Sequence, residues 1–223
     1  MRLRASLALF ISVCWFSVAH AQLRIVNYNV AGINNSSALT TVLGAIKDEV
    51  VNGVAKPIDV LVLNEVESAD ITTILGMLNG RSIGTYAANN LGSTTGGGSV
   101  GMIYRTNSVD LIAQSQVVNT SSSGAARGVM RYALRPDGYD DDANFYIYGS
   151  HYKAGDTASD AGRRNVEATA IRANSNALGE GAHAIYTGDF NIYRSTESMW
   201  ATLTGAGAGQ AFDPVNQVGN WHD

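Results

Sequence analysis

Polar and apolar residues alternate over residues 23–30, where Leu23, Ile25, Asn27 and Asn29 fall on one face. That period of two predicts a β-strand. From residue 38 to 51 the period lengthens, with Leu39, Val42, Leu43, Ile46 and Val50 at helical intervals and Ser36 or Ser37 placed to cap the first turn. Lys56-Pro57 then breaks the chain before an unbroken apolar run, residues 58–66, which ends in Asn64, Glu65 and Val66. A run of that kind reads as a strand covered on both faces. Strand, helix and strand together make a βαβ unit with a right-handed crossover.

A second helix fits residues 70–78, with Ile71, Ile74, Leu75 and Leu78 along one side and Asn79-Gly80 as its stop. The register then changes. Residues 91–98 form a glycine-rich loop, and residues 99–104, 109–118 and 128–134 read as β segments separated by Asn, Ser and Gly. The aspartate-rich stretch 137–142 is an exposed turn, because it lacks the spacing and terminal Glu of a calcium-binding hand. Residues 145–149 are another strand, running straight into Ser150-His151-Tyr152-Lys153. Residues 160–178 are helical, with Val166, Ala170, Ile171, Ala173, Ala177 and Leu178 as a weakly apolar face and Arg163 or Arg164 able to pair with Glu167. A short apolar run at 184–187 predicts a buried strand, and a short helix or irregular stretch around 197–203 offers Trp200 to the core. No internal repeat is visible. The glycines at 98 and 101 lack both dinucleotide and Walker spacings, which argues against a nucleotide-cradling loop.

Composition adds a compartment and removes several chemistries. Arg2 and Arg4, the apolar residues 7–18 and Ala19-His20-Ala21 have the pattern of a secretory signal, so the mature chain is expected to start at Gln22. The apolar core is short for a transmembrane span, and stable membrane insertion is not expected after cleavage. The expected location is secreted or periplasmic, with residues 22–223 as one monomeric domain. The only cysteine, Cys14, lies inside the signal, which excludes a disulfide scaffold, a catalytic thiol and a thiolate metal site. With 15 Lys+Arg against 19 Asp+Glu the chain is acidic, and it loses two more arginines with the signal. It lacks the general electrostatic affinity of a basic nucleic-acid binder. Metal ions and a few local arginines could still neutralise a phosphate ester.

Polar groups recur where strands end: Asn29, Glu65, His151, and Asp189 with Asn191. Asp189 and Asn191 sit two residues apart and project to one face if the backbone stays extended. Taken alone, Gly188-Asp189-Phe190-Asn191 also fits an Asx turn after a strand. Repeated polar strand ends need partners, because each such group costs free energy when desolvated alone. The oxygen donors of Asn29, Glu65 and Asp189 suit Mg²⁺ or another hard divalent cation. A histidine alone carries less weight, as His20, His183 and His222 illustrate.

In order, these motifs resemble the endonuclease/exonuclease/phosphatase family, the group similar to pancreatic deoxyribonuclease and the apurinic endonucleases. Residues 23–30 resemble its first strand, whose metal-site Asn is here Asn29. Residues 59–66 resemble the strand ending in its metal-binding Glu, here Glu65, with Asn64 where the family usually has Gln. Gly149-Ser150-His151-Tyr152-Lys153 resembles its Thr-His-Leu motif, with Ser150 for Thr and His151 as the phosphate contact. Gly188-Asp189-Phe190-Asn191 matches its Gly-Asp-Phe-Asn motif, which implies that Asp189 orients water or binds metal and Asn191 stabilises the transition state. The segments around Arg131 and Arg164 resemble weaker family positions, and with Lys153 these cations are candidates to bind a substrate phosphate or are ordinary surface charges.

The resemblance implies an α+β fold, a four-layer α/β sandwich of two mixed β-sheets flanked by helices, as in DNase I. It implies Mg²⁺, with Mn²⁺ or Ca²⁺ as alternatives, and hydrolysis of a phosphate ester, foremost in nucleic acid. A phosphomonoesterase, a phospholipid-head-group phosphodiesterase and an inactive secreted binding domain are the alternatives. The family continues with a Ser-Asp-His motif on its last strands. Trp221-His222-Asp223 follows Asp189 too closely to be that motif and lacks a strand pattern, so the last strands are expected to be missing.

Overall fold

The computed structural model describes residues 22–31, 33, 36–81, 84–89, 92, 99–117 and 127–221. The expected signal with Cys14, nearly all of the glycine-rich loop 91–98, and His222-Asp223 lie outside the described residues.

The run of alternating residues near the start forms β1 (Ile25–Asn29) and the continuous apolar run forms β4 (Val60–Val66), paired in parallel from Ile25↔Val60 to Asn29↔Asn64. Between them lies α1 (Ser36–Ala45), followed by a small hairpin of β2 (Val50–Val51) and β3 (Val54–Ala55). The first helix therefore stops short of residue 51. The reason is Asn52-Gly53, whose φ angles of 51° and 78° are the left-handed pair that a two-residue hairpin turn requires. Helix α2 (Ser68–Asn79) begins two residues before the expected start, with Glu67 and Asp70 forming a reciprocal capping box. Strands β6 (Ser99–Arg105) and the short, unanticipated β5 (Tyr86–Ala88) complete a sheet of order β1-β4-β6-β5.

A second sheet has the order β10-β9-β8-β7. It contains β7 (Val109–Gln116), β8 (Met130–Pro136), β9 (Phe145–His151) and β10 (His183–Asp189), with β9 and β10 parallel and the other pairs antiparallel. The turn between β8 and β9 holds a 3₁₀ segment at Asp141–Ala143. Helices α3 (Ala158–Asn176) and α4 (Ser198–Thr204) pack on this sheet. Each sheet thus has a parallel pair at one end, and these pairs face each other, with β4 against β9 and both β1 and β4 against β10.

Strand parity distributes the core among three layers. Val60 and Val62 of β4 face Tyr132, Leu134 and Ile147 across the sheet interface, where Leu23 and Ile25 also pack, as their alternation predicts. Leu61 and Leu63 point the other way, against Leu39, Leu43, Ile74 and Leu78 of the first two helices. Both sets are fully or almost fully buried, and each such side chain contributes about 1.5–3 kcal/mol of hydrophobic stabilisation. On the far side, Tyr148 and Tyr152 pack with Ala168, Ile171, Met199 and Leu203. The result is the four-layer sandwich of two mixed sheets flanked by helices.

Two expectations about the outer layer are corrected. The buried face of α3 is Arg164, Glu167, Ala168, Ile171, Arg172 and Ser175, while Ala173 and Ala177 are exposed. Hydropathy marks only part of this face, Ile171 with Ala170 and Leu178, because the buried charges that complete it have partners. Arg172 donates to Thr202 O at 3.0 Å and Leu203 O at 2.8 Å, satisfying carbonyls at the end of α4. In α4, Met199 and Leu203 enter the core, whereas Trp200 is half-buried and pairs with Trp221, ring centroids 5.1 Å apart.

Gly149 sets the distance between the sheets beside the polar strand ends. A Cβ there would lie 2.8 Å from Val100 Cγ1 and 3.0 Å from Val62 Cγ1. Gly149→Ala is expected to lower the unfolding free energy by about 1–3 kcal/mol through overpacking. Urea denaturation measures this, and an unchanged midpoint would contradict it.

Candidate metal centre

In a regular strand Glu65 would follow Leu61 and Leu63 into the apolar layer beneath the first two helices. A β-bulge prevents this: the pairing with β6 shifts between Asn64 and Val66, and Glu65 takes a left-handed φ of 58°. Asn64 keeps the inter-sheet face of Val60 and Val62, and the extra residue returns Val66 to the helix-side core and leaves Glu65 at the rim, one-third exposed. Asn64 itself is fully buried and donates from Nδ2 to Ser150 O at 2.6 Å, tying β4 to β9 one residue before His151.

The second sheet delivers its residues through a glycine. At Gly188, φ is 139° and a Cβ would fall 1.9 Å from Ser150 O, so only glycine allows β10 to run this close to β9. Asp189 is then paired with His151 in the parallel register. One carboxylate oxygen, Oδ1, accepts the Asn191 backbone N–H at 3.0 Å. The other, Oδ2, accepts Asn29 Nδ2 at 3.1 Å and lies 4.0 Å from His151 Nε2.

Four strand ends therefore converge. Asn29 Nδ2 also donates to Glu65 Oε1 at 2.9 Å, and His151 Nε2 is 3.5 Å from that same oxygen. Single donor atoms from Glu65, His151 and Asp189 all lie within 4.8 Å of one another. Two carboxylates this close repel unless positive charge or N–H donors lie between them. Their oxygens, with one imidazole nitrogen, form a donor set that fits a hard or borderline divalent cation such as Mg²⁺ or Mn²⁺. Asn29 lies against both carboxylates: its oxygen accepts Ala31 N–H at 2.9 Å, and its amide N–H groups hold Glu65 and Asp189. His151 is almost fully buried; burial holds its pKa below the usual range, Arg127 adds to the effect, and Asp189 and Glu65 oppose it. Asn191, with a left-handed φ of 46°, turns its Nδ2 to Tyr152 O at 3.1 Å.

The three cations expected at the substrate each have partners within the chain. Arg131 sits between the inward Met130 and Tyr132 on β8, so it points to the helix layer, donating to Asn174 at 3.0 Å and lying over the Tyr146 ring. Lys153 turns to Asp160 at 3.0 Å and to Ala154 O. Arg164 is buried in an ion pair with Glu197 at 2.7 Å, and it also donates to Lys153 O and Gly155 O at 2.8 and 2.7 Å. Arg164 thus fixes the loop that leaves His151. Arg127, which the motif reading passed over, is the cation whose charge reaches His151. Its only signal in the sequence is its position just ahead of a strand.

No family model and no curated protein matches the sequence. Solved structures match in fold. An endonuclease/exonuclease/phosphatase family protein from Bacteroides thetaiotaomicron aligns at TM-score 0.57 and 17% identity, covering 81% of this chain and 66% of its own. A D. rerio TDP2 humanized by 14 mutations aligns at TM-score 0.60 and 20% identity, covering 84% and 68%. Sphingomyelinase C from Streptomyces griseocarneus aligns at TM-score 0.57 and 17% identity, covering 81% and 68%. The chain has the fold of the endonuclease/exonuclease/phosphatase proteins. It spans about two thirds of the length of these structures.

Behind the site, the buried Glu167 accepts Lys153 N–H at 3.0 Å. Burial pushes its pKa up to about 7, against the opposing Lys153 N–H, Arg127, Arg163 and Arg164. The folded state therefore holds this proton more tightly than the unfolded state does. The associated stability is complete below the ordinary glutamate range and is lost as pH rises through about 7. Glu167→Gln is expected to match the wild type near pH 4 and exceed it by about 1–3 kcal/mol at pH 8. Parallel pH profiles of the two proteins in chemical denaturation would contradict this.

Proposed function

We propose that this chain is a secreted, Mg²⁺-dependent phosphodiesterase whose substrate is nucleic acid. The observation that carries the reading is the convergence of Glu65, His151 and Asp189 at one rim of the sandwich fold. A divalent cation bound there supplies Lewis acidity to a phosphoryl oxygen and to the leaving oxygen. Glu65 and Asp189 hold that charge, and Asn29 keeps their carboxylates in register through its two N–H groups. Asp189, its Oδ1 fixed by the Asn191 backbone, positions water and accepts its proton. His151, neutral near pH 7, and the Asn191 amide stabilise the charge that grows on the phosphoryl oxygens.

A finer part belongs to the same reading. Residues 1–21 direct export, supported by their basic, apolar and small-residue segments, and sequencing a secreted product from Gln22 would agree with it.

The test is hydrolysis of plasmid DNA, RNA, bis-p-nitrophenyl phosphate, p-nitrophenyl phosphate and sphingomyelin with and without Mg²⁺. Metal-dependent cleavage of the nucleic acids and the diester is expected, falling at least about 100-fold in Glu65→Ala, His151→Ala and Asp189→Ala. Preference for the monoester or for sphingomyelin would replace nucleic acid with those substrates. Inertness toward all of these substrates, with a cooperative unfolding transition, would instead favour a binding domain.

A further inference from the structure

Arg127 lies half-buried just ahead of β8, and its Nη1 donates to Tyr152 O at 3.0 Å. That carbonyl also accepts Asn191 Nδ2 at 3.1 Å, and Tyr152 N–H in turn donates to Asp189 O at 2.9 Å. A single residue after His151 thus links the guanidinium, the Asn191 amide and the Asp189 backbone. The Arg127 charge acts on both His151 and Glu167. The guanidinium has five N–H donors in a planar fork. One is used on Tyr152 O, and the buried Nε has no hydrogen-bond partner among the described residues.

We propose that Arg127 binds a non-bridging oxygen of the substrate's phosphoryl group while it holds the Tyr152 carbonyl against which Asn191 is fixed. The inference rests on the phosphoester reading of the site and adds a residue to it. A phosphoryl group approaching two carboxylates meets like charge, and a rigid cationic fork anchored beside them offsets that repulsion with directed hydrogen bonds. Arg131, Lys153 and Arg164 are held by Asn174, Asp160 and Glu197, so none of them takes this role. Fixing the fork through a backbone carbonyl also keeps it from collapsing onto the acidic cluster.

Calorimetric titration of inorganic phosphate into the full chain, with and without Mn²⁺, tests the proposal, alongside Mn²⁺ binding followed by electron paramagnetic resonance. Arg127→Ala is expected to weaken phosphate binding at least about tenfold, the effect of losing a charge-assisted bond. Arg127→Lys, which keeps the charge but not the fork that spans Tyr152 O and the phosphate, is expected to recover only part of it, and Mn²⁺ affinity is expected to stay within about twofold. Circular dichroism and the thermal midpoint establish that each variant is folded. If Arg127→Ala does not fold, Arg127→Gln and Arg127→Lys make the same comparison. Phosphate affinity that does not depend on Arg127 under either condition, or absence of phosphate binding by the wild type in both, overturns the proposal. Arg127-dependent phosphate binding by a protein that binds no Mn²⁺ would support it and sink the metal reading alone.

Discussion

The site depends on one buried hydrogen bond between the two sheets, from Asn64 Nδ2 to Ser150 O at 2.6 Å. Both groups lie in the dry interface, where an unpaired amide or carbonyl would cost about 1–3 kcal/mol, so their pairing fixes where β4 can sit against β9. The next residue along each strand belongs to the candidate metal centre, Glu65 on one sheet and His151 on the other. Their 3.5 Å separation is therefore set by a contact that does no chemistry itself. The bulge at Glu65 has the complementary role. It lets a carboxylate leave a strand whose other outward residues are fully buried and apolar.

Strain collects around this point. Of the described non-glycine residues with positive φ, Ala31, Glu65 and Asn191 all belong to the rim, and each follows or carries a side chain of the candidate site. Left-handed residues persist where the surroundings over-determine them. Here the Asn29 oxygen holds Ala31 N–H and the Asp189 oxygen holds Asn191 N–H. The opposite ends of the same strands are occupied by a structural knot, in which fully buried Asp59 meets Arg105 at 2.5 Å, Lys56 at 2.6 Å and Arg24 N–H at 2.6 Å. One end of the sandwich is closed by paired charge, and the other presents its carboxylates to solvent.

Most of the fold was legible because strand parity and helical spacing reflect burial directly. Alternation in β1 and continuity in β4 each matched the layers those side chains enter. The site residues Asn29, Glu65, His151, Asp189 and Asn191 were legible as polar groups at strand ends. Their individual tasks were less so, because whether an Asn points its oxygen or its N–H groups at a carboxylate depends on neighbours such as Ala31. The outer helix layer was misread where burial is electrostatic: Arg164, Glu167 and Arg172 look like surface residues until Glu197, Lys153 N–H and the α4 carbonyls are in place. Arg131 and Arg127 are four residues apart and of the same residue type. Only the pleat of β8 and the return of the chain to Tyr152 separate them in space.

The most direct measurement is anomalous X-ray scattering from crystals of the full chain grown with Mn²⁺. The account predicts one peak within bonding distance of a Glu65 oxygen and an Asp189 oxygen, about 2.0–2.3 Å for such a cation. A peak bound elsewhere on the surface, with those two carboxylates carrying none, would contradict it.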